Sequence, residues 1–167
     1  MLTRITRYCS ITLVASVLTL SGAGIASAQN AVQAVPDSGI VRVKSAYSVA
    51  ETVARLKSDV AGKGIRFFLE IDQAKLAADA GIKLRPSTLL IFGNPPLGTL
   101  FIAANPLAGL DWPVRLLVLE DEKGDVWAAY TDFSYIAHRH AVSGADAEAF
   151  GKASGVIASI TSSVKAQ

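Results

Sequence analysis

Two histidines stand one residue apart in this chain, His138 and His140, and it has no other imidazole. An i, i+2 pair points to one side of a strand but is separated by about 200° around a helix. The segment from Ser134 reads as a short helix, so joint ligation of a metal asks for irregular backbone and for Asp or Glu to complete the site. No metal is the expectation, with His138 and His140 as the alternative pair of ligands. In the metal-free reading one histidine faces solvent, and the other packs at the sheet edge against a backbone carbonyl. A serine nucleophile needs a sharp glycine elbow, and no Gly-x-Ser-x-Gly pattern occurs. Paired carboxylates do acid and base work when they converge; Asp72 and Asp111 both stand at strand boundaries, although Asp72 also reads as a helix cap.

The turn Gly93-Asn94-Pro95-Pro96 ends an apolar strand and opens a helix. Free amides at a helix N-terminus attract anions and polar ligands, which makes this turn the leading candidate for a binding surface. Arg85 lies near the other end of the same strand, roughly 20 Å away over six residues, so the two do not share one small ligand. Gly62-Lys63-Gly64 looks like part of a phosphate loop, but it follows a helix instead of opening one, and Gly62 falls where a left-handed C-terminal cap belongs. Past residue 28 there is no dinucleotide fingerprint, and no cofactor is implied.

These residues must be held by elements that the sequence punctuates clearly. Ile40 to Lys44 reads as a strand, and Ser48-Val49-Ala50-Glu51 is a capping box for a helix with the apolar stripe Val49, Val53, Leu56 and Val60. Ile65 to Ile71 is a second strand, ending at Asp72, which caps a short helix closed by Gly81. Ser87 to Phe92 is a nearly continuous apolar strand, and a helix with the stripe Leu97, Leu100, Phe101 and Ala104 runs to Asn105-Pro106. Val114 to Glu120 and Asp125 to Thr131 form a hairpin across Asp121-Glu122-Lys123-Gly124, with Val126, Ala128 and Tyr130 on one face. An Ala-rich helix from about Ala145 carries Phe150, Ala153, Ile157, Ile160 and Val164, a stripe expected to pack on the sheet. The order βαβαβαββαα predicts an α+β two-layer sandwich, a mixed sheet of about five strands with helices on one face.

The first 28 of the 167 residues read as a cleaved secretory signal: Arg4 and Arg7, the apolar Ile11 to Leu20, then the small Ala26-Ser27-Ala28. Ten apolar residues rise only about 15 Å as a helix, half of a hydrocarbon core, so no stable membrane insertion is expected after cleavage. The expected mature chain begins at Gln29, with residues 29–39 as a flexible lead and 40–167 as one domain, in the periplasm or secreted. Cys9 is the sole cysteine and lies in the leader, so the mature chain has no disulfide, thiol ligand or thiol nucleophile. Taking Arg4 and Arg7 from the sixteen cations leaves fourteen against fourteen carboxylates. A neutral chain without a basic stripe argues against a nucleic-acid partner.

The run Ala80-Gly81-Ile82-Lys83-Leu84-Arg85-Pro86-Ser87-Thr88-Leu89-Leu90-Ile91-Phe92-Gly93-Asn94-Pro95, followed by Leu110-Asp111-Trp112-Pro113 and Gly124-Asp125-Val126-Trp127-Ala128-Ala129-Tyr130, resembles the family called domain of unknown function 302. The resemblance spans about Val41 to Val142 and implies an α+β domain, often a dimer, with no established activity. It also implies a histidine after the aspartate that ends the second strand, where this chain has Gln73. Polar residues at family-like positions are Asp72, Arg85, Asn94, Asp111, Tyr130 and His138 or His140.

The expected function is a non-enzymatic exported module that binds a small ligand or an envelope partner near the Gly93 turn or the Tyr130 strand, as a possible homodimer. The alternative is a small metal-dependent or hydrolytic enzyme that gathers Asp72, Asp111, Tyr130 and His138 in one pocket.

Overall fold

Local chemistry sets the element ends much as the sequence predicts. The computed structural model describes residues 32–35, 38–142 and 145–166, so the leader and its cleavage site lie outside the described residues. Strand β1 is Val32–Val35 and β2 is Ile40–Lys44. Helix α1, Val49–Gly62, starts where the Ser48 hydroxyl accepts the Glu51 amide. It does not end on a left-handed Gly62: that role falls to Gly64, at φ +65°, whose amide donates to the Ala61 carbonyl while Ile65 reaches back to Val60. Then come β3 (Arg66–Asp72), α2 (Gln73–Asp79), β4 (Ser87–Gly93), α3 (Pro95–Ala104) and a single 3₁₀ turn, Pro106–Leu110. The chain continues through a cis Trp112–Pro113 bond into β5 (Val114–Glu120), β6 (Val126–Thr131), α4 (Phe133–Arg139) and α5 (Ala145–Ser162). From β2 onward this is the predicted βαβαβαββαα order, and the fold is α+β.

The sheet corrects two details. It has six strands in the order β1-β2-β6-β5-β4-β3, because the segment read as a flexible lead supplies β1. Every pairing is antiparallel, so the sheet is not mixed. The alternation of strand and helix suggested parallel neighbours, but α1 carries the chain from β2 to the far edge at β3, and β6, β5 and β4 fill the space between. Helices α2 and α3 then return the chain to adjacent antiparallel strands.

Pleating divides the sheet into two very different faces. Leu90, Leu116, Val118 and Ala128 are fully buried beneath Val53, Leu56 and Val60 of α1 and join one core with α3, α4 and α5. The buried stripe of α5 is Phe150, Ala153, Ile157 and Ile160, continued by Val164 past its end; the helix lies against α1, α3 and α4. An aromatic knot fastens it: the Phe101 ring is 3.8 Å from that of Phe150, with Trp112 set edge-on to Phe101 at 5.4 Å. On the opposite face, paired rows run Ile71, Leu89, Leu117, Ala129 and Ser87, Leu119, Trp127, with Leu69 beside Ile91. Ala129 and Trp127 of these rows are buried, while the other aliphatic side chains are only half buried or exposed, and α2 meets this face at its Ser87 end, where Gln73 accepts the Ser87 hydroxyl. No described helix is long and apolar enough to cross a membrane.

Candidate functional site

Most of the polar residues singled out above are engaged in shaping the fold. Asp72 caps α2, its Oδ1 accepting the Lys75 amide at 2.8 Å, and neighbouring Gln73 accepts the Ser87 hydroxyl at 2.7 Å. Arg85 faces Glu120 at 3.8 Å, on the surface. Asn94 caps α3 by accepting the Leu97 amide at 3.3 Å. That corrects the expectation of free amides at the Gly93 turn: Pro95 and Pro96 have no N–H, Leu97 is held by the Asn94 side chain, and the Gly98 amide goes to the Asn94 carbonyl. Tyr130 points into the helical layer, partly buried beside Thr161. Burial pushes its phenol above the usual value, and the Asp132 carboxylate adds to that rise.

Asp111 is buried, with a side chain only 8% exposed. Its Oδ2 lies 2.7 Å from Nε2 of His140, itself buried, and Arg115 and Arg139 approach the same carboxylate at 3.3 and 3.4 Å. Asn105 donates its Nδ2–H to the His140 carbonyl at 2.9 Å. Thus the imidazole at the end of α4 is held by a carboxylate, where a backbone carbonyl was expected, and His138 is exposed in the last turn of the helix. A void of about 20 Å³ beside Asp111 is lined by Val114, Thr131, Phe133 and Ile136, too small for a substrate. An Asp–His pair orients an imidazole for proton transfer only when a reacting group has room at the ring. This one ties the loop before β5 to the end of α4.

The proposed catalytic four do not meet. Asp72 pairs with Thr88 near the start of β4, whereas Asp111 precedes β5, whose Val114 pairs with Phe92 near the end of β4. Nearly the whole length of β4 separates them, roughly 15 Å. Among the described residues no three His, Cys, Asp or Glu side chains are placed to hold a metal.

Two features escaped the sequence reading. At the β5–β6 hairpin, Trp127 is buried on the open sheet face with Arg42 stacked 4.2 Å from its ring, and its indole N–H donates to Asp121 Oδ2 at 2.8 Å. That hydrogen bond holds the Asp121 carboxyl below the usual range. Lys44 and Asp125 add an ion pair at 2.8 Å. The legible sign was an aspartate at a hairpin entry six residues before a tryptophan. The second feature is a groove of about 460 Å³ between Ile65, Leu97 and Val156, bounded by Lys63, Asn94, Lys152, Gly155 and Ser159. Beneath it an apolar recess of about 30 Å³ reaches Phe92, Trp112 and Ile157. Its walls come from three separate segments, which sequence spacing does not bring together.

These observations define a two-layer α+β domain with one antiparallel sheet, covered on one side, whose conspicuous polar residues act as caps and staples. The chain belongs to the family described as domain of unknown function DUF302, whose model matches residues 41–160. A crystal structure of an uncharacterised DUF302 protein from Bacillus stearothermophilus has the same fold, with a TM-score of 0.69 over 77% of this chain and 99% of that one, at 16% identity. Proteins of Brucella suis and Brucella abortus named as fluoride-specific ion channels are 41% identical over 106 residues, 64% of this chain. The match spans 42% and 39% of those proteins, about two fifths of their length.

Proposed function

We propose that this chain is an exported, non-enzymatic binding module that works as a two-fold pair joined through its open sheet face. One observation carries the reading: an antiparallel sheet that is apolar on both sides but covered by helices on one. Six strands about 4.8 Å apart and six residues long give a face of roughly 29 by 20 Å, of the order that a standard interface needs from each partner. Leu89, Ile91, Leu117 and Leu119 form its apolar centre, with the Arg42, Lys44, Asp121 and Asp125 cluster toward one edge. Two cations and two anions in one patch let a second copy approach in two-fold register without net repulsion. Export rests on the leader, and N-terminal sequencing of the secreted protein is expected to begin at Gln29.

The separation of Asp72 from Asp111 speaks against the enzymatic alternative, as does the capping work of Asp72. The fluoride-channel relatives, in which the matched segment is a minor part of a longer chain, support a domain that operates within or beside larger proteins. Light scattering of the mature chain across a hundredfold range of concentration is expected to give the mass of two copies. A single-copy mass throughout that range removes the pairing.

A further inference from the structure

We infer that the groove between α1, α3 and α5 is a site for a single-chain amphiphilic acid, its carboxylate at Lys63 and Lys152, its alkyl chain along Ile65, Leu97 and Val156, and only its terminal methyl at the recess toward Trp112. This site is on the helical side of the domain and does not depend on the paired sheet face. Three observations carry it. The groove opens onto a recess lined by Ile65, Phe92, Leu97, Trp112, Val156 and Ile157, so an alkyl group entering it leaves water for an apolar surface. The two charged side chains on the groove wall are both ammonium groups, and the remaining polar ones, Asn94 and Ser159, are neutral. Among the described residues each lysine pairs with a carboxylate one turn earlier in the chain, Lys63 with the partly exposed Asp59 at 3.0 Å and Lys152 with the exposed Glu148 at 2.9 Å. Surface pairs at i, i+4 are weak, and both side chains are long enough to turn toward a carboxylate seated between them.

The prolines refine the chemistry. With no free amide at the start of α3, the groove lacks the fan of backbone donors that a phosphate requires, and two point charges over an apolar slot suit a carboxylate with a hydrocarbon tail. One groove of about 460 Å³ has room for one chain, which favours a free acid over a two-chain phospholipid presenting its headgroup.

Titration calorimetry of the full mature chain with octanoate, 1-octanol and octylammonium tests the class, and amide spectra locate the site. Octanoate is expected to bind at least tenfold more tightly than octanol, octylammonium more weakly than either, with shifts at Gly93, Gly155 and Val156. In Lys63→Gln/Lys152→Gln the advantage of octanoate over octanol is expected to fall below threefold while octanol binding is kept. Val156→Trp, at a partly exposed position, is expected to remain folded and to lose all three. Equal binding of octanoate and octanol to the wild-type chain overturns the acid and leaves an apolar groove. Absence of binding by all three overturns the site. Co-sedimentation with phosphatidylglycerol vesicles that Lys63→Gln/Lys152→Gln abolishes overturns the free acid in favour of a lipid headgroup.

Discussion

At the scale of single residues, Trp112 and Trp127 dictate what their neighbours are. A Cβ added to Gly98, inside α3, falls within the indole of Trp112. Alanine favours a helix over glycine by up to about 1 kcal/mol, yet here overpacking of about 1–3 kcal/mol or more works against it. Gly98→Ala is expected to be less stable in urea titration, and a simultaneous Trp112→Leu to recover part of the loss, a coupling that a double-mutant cycle measures. Around Trp127 the argument is electrostatic. The indole N–H holds Asp121 below its unfolded value, so the ionised carboxylate stabilises the fold above the ordinary carboxylate range, and that contribution is lost as pH falls through the lowered value. The difference in melting temperature between the wild-type chain and Asp121→Asn is expected to be largest near pH 6 and to close toward pH 3. A constant gap across that range defeats the assignment.

At the scale of elements, the C-terminal residues show how a short tail is built into the sheet. Past α5, Val164 is fully buried; its carbonyl accepts the Ala46 amide at 3.0 Å, while Ala166 donates to Lys44 at 2.9 Å. Burial of one valine is worth roughly 1.5–3 kcal/mol and each hydrogen bond about 0.5–1.5 kcal/mol, so ending the chain at Ser163 is expected to cost about 3–5 kcal/mol. Ending it at Lys165 keeps Val164 and is expected to cost about 1 kcal/mol, and chemical denaturation separates the two. The same segment marks the boundary of what sequence disclosed. Caps at Ser48 and Asp72 and the apolar stripes of α1 and α5 were legible because each depends on neighbours within a turn or two. The pairing of β2 with β6 across some 85 residues was not, nor was β1, whose four residues lack the alternation of a longer strand. For the site, the inferred groove borders the Gly93-Asn94 turn that the sequence singled out, but not through the donors expected there. The amides expected there are lost to proline or already paired, and the cations come from Lys63, just past the end of α1, and Lys152 of α5.

At the scale of the whole molecule, the two faces of the sheet offer an internal control for the pairing. Leu116 and Leu117 are adjacent in β5, and pleating sends the first into the helical core and the second onto the open face between Leu89 and Ala129. A lysine in place of Leu116 buries a charge in the core and is expected to unfold the domain. At Leu117, a lysine in a lone copy extends its ammonium to water along the open face, so the fold and its far-ultraviolet dichroism are expected to persist. In a two-fold pair the same substitution enters the interface twice, near its centre, and each charge loses water without gaining a partner. Leu117→Lys is therefore expected to behave as a folded single copy in light scattering at concentrations where the wild-type chain has the mass of two. A Leu117→Lys chain that keeps the wild-type mass places the contact elsewhere, whereas one that unfolds like Leu116→Lys means that this face is covered within a single copy.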